Sequence, residues 1–385
     1  MKILLPAKVN MIIETFQIHG YEAYAVGGCV RDSILGRTPE DWDITTSAMP
    51  ERTKALFRRT FDTGIDHGTV TVVIEREGFE VTTYRIDGPY EDSRHPKEVQ
   101  YTRSLQEDLL RRDFTINAMA YNEESGLVDI FGGMKDLQDK IIRCVGNPRE
   151  RFGEDALRIL RALRFAAQLG FEIEVDTRKA IQELAPTLGN ISVERIQVEL
   201  TKMLLAPKLE IVKLTYQLGV LEVFLPEIRV EAEQIEELKS VRANKILRYV
   251  RLFYRQGEAK TKAILRRLKY DNDTVYKVSK LIEMYDQEIQ PKAVCVRKAM
   301  NQMGVELFAY HLELHPDAQV ELLYKQVIEQ RQCVSLKELA VTGNDLIQAG
   351  MPRGKVIGDT LEMLLQEVME HPERNKKELL LHKII

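Results

Sequence analysis

The sequence predicts an α+β amino-terminal unit joined, near residue 147, to an all-α remainder. Before that point β-rich runs alternate with helical patterns. After Asn147-Pro148, Leu, Arg, Glu and Lys dominate with helical spacing, and the punctuation falls at Gly170, Pro186, Pro207, Pro226, Pro291 and Pro316. No fixed-period repeat or low-complexity tract interrupts either part. At 385 residues the chain has room for about two to four compact units.

The first element is Tyr24-Ala25-Val26, a buried strand by composition. It runs into Gly27-Gly28-Cys29-Val30-Arg31-Asp32, where glycine lets the backbone approach a phosphate closely and Arg31 offers it a forked donor. Asp41-Trp42-Asp43 follows in a short β-prone run. Acids at i and i+2 on a strand face the same side and can hold one divalent cation between them. The assembly points to phosphoryl chemistry on a nucleotide.

Two further strands are expected, Thr69–Ile74 and Phe79–Tyr84. Two-metal assistance of an in-line displacement calls for a third carboxylate, and Glu80, isolated among β-branched neighbours, is the candidate. A merely solvent-facing acid fits the same position. If its strand pairs beside Asp41 and Asp43, three carboxylates converge. From Glu107 to Ala118 a charged helix entry turns apolar; there Arg112 can take the phosphates or ribose of a nucleoside triphosphate, and Asp113 can accept from a ribose hydroxyl. Leu127–Phe131 reads as another strand, ending in Gly132-Gly133. In Arg151–Phe165 and just beyond, Ile159, Leu160, Leu163 and Ala167 form a core stripe, and Asp155, Arg158 and Arg161 step by three along an adjoining face. Surface ion pairing explains that spacing as well as any ligand does.

The net charge of −4 is unevenly spread. Between Arg242 and Ile282 twelve basic residues face three acids, a local +9 that leaves −13 elsewhere. A solvated helical face accounts for such a run, but the interleaved Tyr249, Phe253, Tyr254 and Tyr270 favour a surface for a phosphate backbone. The four cysteines lie far apart with no CxxC pair, so neither zinc nor a disulfide framework is expected. The seven histidines are scattered and no His-Asp dipeptide occurs, which excludes a fused metal-dependent phosphohydrolase module. His67, in a turn before a strand, reads as structural. With no apolar run of about eighteen residues and no secretory leader, the expected location is cytoplasmic, with no membrane partner.

Five motifs occur in one order: GGCVRD with DWD, EDLLRRDFTINAMA, DIFGGMKDL, EDALRILRALRFAAQLGF, and ISVERI at Ile191 to Ile196. In order and spacing they resemble the class II tRNA nucleotidyltransferases, the CCA-adding enzymes, with bacterial poly(A) polymerases as near relatives. The resemblance implies a polymerase-beta-like nucleotidyltransferase head with a mixed or antiparallel sheet at 1–147. A helical neck at 148–206 would read the base, and a basic helical body at 207–290 and a helical tail at 291–385 would contact tRNA, in a curved elongated arrangement. It implies metal ligation and catalysis at Asp41 and Asp43, with Glu80 as the further catalytic candidate, and Mg2+ as the cofactor. Nucleotide binding would fall to Gly28, Arg31, Arg112, Asp113, Asp155, Arg158, Arg161 and Arg164. The partners implied are CTP, ATP and the acceptor stem and T arm of tRNA; a homodimer is left open.

The implied reaction needs no nucleic-acid template. Cytosine and adenine each present an amino donor beside an unprotonated ring nitrogen, which a carboxylate (Asp155) and a guanidinium (Arg158) in one plane satisfy together. Guanine and uracil present a carbonyl and a ring N–H there, and each mismatched buried group costs about 1–3 kcal/mol. The terminal 3′-hydroxyl of tRNA would attack the α-phosphate of CTP twice and then of ATP, releasing pyrophosphate, with one metal activating the hydroxyl and a second neutralising the triphosphate. The polar stretch Gly88–Lys97 matches a loop that the family links to the switch from C to A, and favours the full activity over a partial CC- or A-adding one. Near the end, Val341–Ile347 followed by Gly350, Gly354 and Gly358 resembles the family's tail signature; a glycine turn opening a helix near Lys355 suits an RNA phosphate or plain capping. A poly(A) polymerase of the same fold and an RNA-binding module without chemistry are the remaining alternatives.

Overall fold

The computed structural model describes residues 2–87 and 99–384, so the stretch Gly88–Lys97, assigned above to the C-to-A switch, lies outside the described residues. The chain divides into two compact units, Met1–Glu236 and Glu237–Ile385.

The first unit is built on a seven-stranded sheet. Its strands are β1 (Ala23–Val26), β2 (Ile44–Thr46), β3 (Thr60–Gly64), β4 (Thr69–Ile74), β5 (Glu77–Thr83), β8 (Met119–Asn122) and β9 (Gly126–Asp129), in the spatial order β3-β4-β5-β2-β1-β8-β9. A separate antiparallel pair, β6 (Arg85–Asp87) and β7 (Val99–Tyr101), brackets the undescribed stretch. The sheet is mixed: β2 and β5 run parallel, and the other pairs are antiparallel. The central strands β1, β2 and β8 are buried throughout, so neither of their faces is left to solvent. Tyr24, Val26, Tyr84, Leu109, Ala118, Ala120 and Val145 pack one side of the sheet against the helix Leu105–Leu110.

Two expectations shift by a residue or two, with chemical consequence. Asp41 and Asp43 precede the strand rather than lying within it, since β2 begins at Ile44, although the N–H of Val26 still donates to the carbonyl of Asp43 at 3.0 Å. Asp155 does not stand on a helical face. It is an extended residue (φ −139°) in the joint between the helices Pro148–Glu154 and Leu157–Leu169, where its side chain accepts from the N–H of Leu157 at 3.0 Å. The expected core stripe of the second helix is buried as read: Ile159, Leu160, Leu163 and Ala167.

The second unit is helical. Helices Lys245–Phe253, Glu258–Arg267 and Asn272–Glu283 pack around Leu247, Val250, Ile264, Leu265, Val278 and Leu281. The aromatic reading of this segment is overturned. Tyr249, Phe253 and Tyr270 are core residues, with Tyr249 stacked on Phe253 at 5.8 Å, edge-on to Tyr270 at 5.0 Å, and hydroxyl to hydroxyl with it. The i, i+4 spacing of Tyr249 and Phe253 puts both on one buried helix face, so neither ring is offered to a ligand. Much of the positive charge is paired as well: Arg242 with Glu313, Lys245 with Asp271, Arg255 with Glu237, and Lys277 with Glu306. Arg248 is buried on the carbonyls of Leu238 and Arg242. Lys260, Arg266, Arg267 and Lys269 stay exposed. A smaller core of Val341, Leu346, Leu364, Leu365, Val368 and Met369 closes the last helices. There Thr342 and Asp345 form a reciprocal cap on the helix Gly343–Gln348, while Gly354 begins the helix Lys355–Glu370 without a side-chain cap.

Candidate active site

The site assembles within the first unit from the ends of β1, β2 and β5 and the helix Leu157–Leu169. The chain leaves β1 at Gly27, whose φ of +82° starts the helix Gly28–Ile34. A Cβ at Gly27 would lie 3.2 Å from Nη1 of Arg112, so only glycine gives both the backbone conformation and the close approach. The parallel register Ile44↔Val81 continues back to place Asp43 beside Glu80, which is the pairing the sequence made a condition for Glu80. Asp43 and Asp41 line a cavity of about 740 Å³ that they share with Gly28, Arg31, Arg112, Asp113, Arg161 and Arg164. Asp43 and Glu80 line an adjacent one of about 160 Å³. Desolvation pushes the Asp43 carboxyl up; the Arg112 guanidinium opposes this, and the charges of Glu80 and Asp41 add to it.

Among the described residues, no three His, Cys, Asp or Glu side chains come together as a ligand set, so the expected convergence of three carboxylates is not met in this structure. The donors on offer still suit a hard cation. Asp41 and Asp43 present carboxylate oxygens, and burial pushes the neighbouring Cys29 thiol up to about 11, which keeps it protonated and removes the one soft ligand nearby. Cys29, Cys144 and Cys333 are buried and Cys295 is part-exposed, all as free thiols.

A third cavity, of about 260 Å³, is lined by Arg111, Arg112, Asp113, Asp155, Leu157, Arg158, Arg161 and Arg195. The structure therefore brings Asp155 and Arg158 to one place. Asp155 is held by Arg195, whose Nη1 and Nη2 donate at 3.3 and 2.8 Å. Arg158 donates to Glu154 at 2.5 Å and to the carbonyls of Arg151 and Arg111 at 3.1 and 2.9 Å. Arg112 borders all three cavities. Its Nε is buried with no hydrogen-bond partner.

Asp113, expected to accept from a ribose hydroxyl, lines two of the cavities and is engaged by protein donors. Its Oδ1 accepts from the N–H of Phe114 at 2.8 Å and from Asn117 at 3.0 Å, and its Oδ2 takes Arg161 through Nε and Nη2 at 2.8 and 2.6 Å. Burial alone would raise its carboxyl, but Arg161 and the Asn117 amide hold it down at about 2. Arg164 is likewise turned to protein, donating to Glu199 at 2.5 Å and to Gln168 at 2.8 Å.

Several residues with a part in this geometry were not singled out by the sequence. Asp108 is fully buried (0% exposed) and accepts from Arg111, Arg112, Thr45 and the N–H of Arg85, tying β2 to the arginine that borders every cavity. Burial would raise its carboxyl, yet Arg111 and Arg112 keep it lowered. Its signal was the Asp-Arg-Arg spacing at i, i+3 and i+4 in a short helix. Arg195 lay within the ISVERI run but was not singled out, because its partner Asp155 lies forty residues earlier.

Fold and site together define a nucleotidyltransferase built on a poly(A)-polymerase-type head. A family model described as "Poly A polymerase head domain" matches residues 23–143, one described as "Probable RNA and SrmB-binding site of polymerase A" matches 170–231, and a tRNA nucleotidyltransferase domain 2 matches 243–384. The CCA-adding enzyme of Enterococcus faecalis is 39% identical over 96% of this chain and 93% of its own length, and that of Geobacillus thermodenitrificans is 38% identical over 95% and 93%. The crystal structure of the Bacillus stearothermophilus CCA-adding enzyme in complex with CTP superposes with a TM-score of 0.84 at 32% identity, covering 99% of this chain and 98% of that one. The chain belongs to the CCA-adding enzyme family.

Proposed function

We propose that the protein adds C, C and A, without a nucleic-acid template, to the 3′ end of tRNA precursors, using CTP and ATP and releasing pyrophosphate. The observation that carries this reading is the meeting of Asp155 and Arg158 in a small cavity that shares Arg112 with the cavity of Asp41 and Asp43. A base seated between the first pair has its triphosphate directed toward the second.

Arg195 fixes the plane of Asp155, leaving a lone pair on Oδ2 to accept an exocyclic amino group, and Arg158 supplies the guanidinium for the ring nitrogen. Arg112, Arg31 and the backbone at Gly28 receive the triphosphate, and Arg161 approaches from the helix. Asp41 and Asp43 would hold a divalent cation, which we take to be Mg2+, with Glu80 beside Asp43 as the further catalytic acid. When bound, such a cation supplies a lowered pKa for the attacking hydroxyl and counter-charge for the departing pyrophosphate.

We assign 1–147 to the catalytic head, 148–206 to a neck that reads the base, and 207–290 and 291–385 to a body and tail on the acceptor stem and T arm of tRNA. The match of 243–384 to a tRNA nucleotidyltransferase domain and the exposed Lys260, Arg266, Arg267 and Lys269 support the RNA assignment. No helix among the described residues is long and apolar enough to cross a membrane, and with free thiols throughout we place the protein in the cytoplasm.

The deciding assay offers CTP and ATP, singly and together, to tRNA lacking its last three nucleotides, and sequences the ends. Three added residues and a stop are expected. A long A tract would replace this reading with a poly(A) polymerase, and no addition would reduce the chain to an RNA-binding module.

A further inference from the structure

A closed ring of contacts runs around the nucleotide site through two residues that carry no charge. Arg31 donates from Nη1 to Oδ1 of Asn117 at 2.6 Å, and the amide of Asn117 donates on to Oδ1 of Asp113 at 3.0 Å. The other oxygen of Asp113 holds Arg161. The ring closes on Phe165, whose face lies 5.4 Å from the guanidinium carbon of Arg161 and 5.0 Å from that of Arg31, with Arg164 at 3.9 Å. Phe165 is itself set edge-on against Phe114 at 5.8 Å and 82°. Asn117 and Phe165 are each only 6% exposed.

Like charges crowd here unless something separates and fixes them. An aromatic face attracts each guanidinium without competing for its N–H groups. An amide with one acceptor and one donor is the side chain that can join an arginine to a carboxylate in this orientation. An aspartate at 117 would repel Asp113, and a lysine would repel Arg31. The ring joins Arg31, on the helix that follows the glycine turn, to Arg161, on the helix next to the base-reading pair.

We infer that Asn117 and Phe165 are positioning residues which lock the phosphate-side and base-side arginines into one frame, so that a correctly read base delivers its α-phosphate in register with the acids. This rests on the function proposed above. A misplacement of about 1 Å in such a frame costs on the order of 10²-fold in rate. Once the frame is opened at one point, opening it at a second adds little.

The test is a double-mutant cycle on the full chain with Asn117→Ala and Phe165→Leu, using tRNA lacking its last three nucleotides. Each single variant should lose about tenfold to 10²-fold in kcat/KM for CTP, chiefly in kcat. The preference for CTP over UTP should fall with it. The double variant should be no worse than the poorer single one, and Phe165→Tyr, which keeps the ring, should stay close to wild type. Losses that multiply in the double variant, or a lowered melting temperature with kcat and CTP preference intact, would overturn the frame. If the wild-type protein transfers no nucleotide, the proposed reaction fails instead. The same cycle is then read from CTP affinity by calorimetry, where non-additive losses uphold the frame and multiplicative or absent losses sink it.

Discussion

The two units bury charge in opposite ways. In the first, Asp108, Asp113, Arg31, Arg158, Arg164 and Glu199 are all nearly removed from solvent, and ion pairs such as Asp108 with Arg112, Asp113 with Arg161 and Arg164 with Glu199 cluster near the cavities. In the second, most ion pairs, such as Lys298 with Glu370 and Lys280 with Glu283, stay at the surface, and the interior is aliphatic and aromatic. Its buried arginines, Arg248 and Arg297, are met mainly by backbone carbonyls and by an amide rather than by acids. Surface pairs contribute about 0–1 kcal/mol each, whereas a buried pair often stabilises no better than apolar side chains of the same volume and fails badly when one partner is removed. The first unit thus keeps buried ions where geometry matters for chemistry, and the second relies on ordinary packing.

The sharpest way to break this contrast is at the acids. Asp43→Ala should abolish nucleotide addition by about 10³-fold or more, the loss of several kcal/mol of charge stabilisation, while thermal unfolding stays near wild type. Near-normal turnover would remove Asp43 from the metal assignment.

Acidification should then separate the units. Burial, reinforced by His315, pushes His311 (3% exposed) down to about 4 from its ordinary 6.5; the ring lies with His315 at 4.9 Å, and Arg251 and Asp286 act on His315 from the neighbouring elements. A native histidine kept neutral means that the unfolded chain binds the proton first. The stability it contributes is therefore present above pH 6.5 and lost as pH falls toward 4, up to about 3 kcal/mol. Asp113 is depressed in the other sense, from 3.8 to about 2, so the contribution of about 2 kcal/mol in the first unit survives until pH drops below 4. Trp42, the single tryptophan, reports on the first unit by fluorescence, while far-ultraviolet dichroism reports on both units, since helices occur in each. Melting followed by dichroism should weaken between pH 6.5 and 4 before the Trp42 transition moves; coincident shifts would contradict the separation.

Two smaller effects sharpen it further. Asp155→Ala should lower the preference for CTP over UTP by about tenfold to 10²-fold, the value of one unpaired buried group, in competition assays with labelled nucleotides. Arg266→Ala and Lys260→Ala should each weaken tRNA binding about fivefold and reduce the salt slope by about one, with CTP affinity unchanged. A flat salt response in the wild type would take the phosphate surface away from this unit.

The sequence made the frame of the first unit legible because its strands are short β-branched runs and its helices carry a clean apolar stripe. The pairing of Asp43 with Glu80 was foreseen as a condition and met in register. Arg195 and Asn117 lay inside quoted motifs but were not singled out: Asp155 is forty residues from Arg195, and Asn117, although four residues from Asp113, also depends on Arg31 eighty-six residues away. The misreading of Tyr249 and Phe253 had the opposite cause. Their helical spacing already marked a core face, and the neighbouring basic residues drew attention from it.

The thiol inventory has a practical corollary. Three of the four cysteines are buried, and Cys29, hydrogen-bonded to the carbonyl of Val26 at 3.3 Å and shielded to a pKa of about 11, will scarcely ionise at neutral pH. A maleimide dye should therefore settle on Cys295 in the helical unit and leave the nucleotide site untouched. With Trp42 in the first unit and the dye in the second, the unmodified sequence carries one spectroscopic reporter in each unit, so that each can be followed by itself as tRNA is extended.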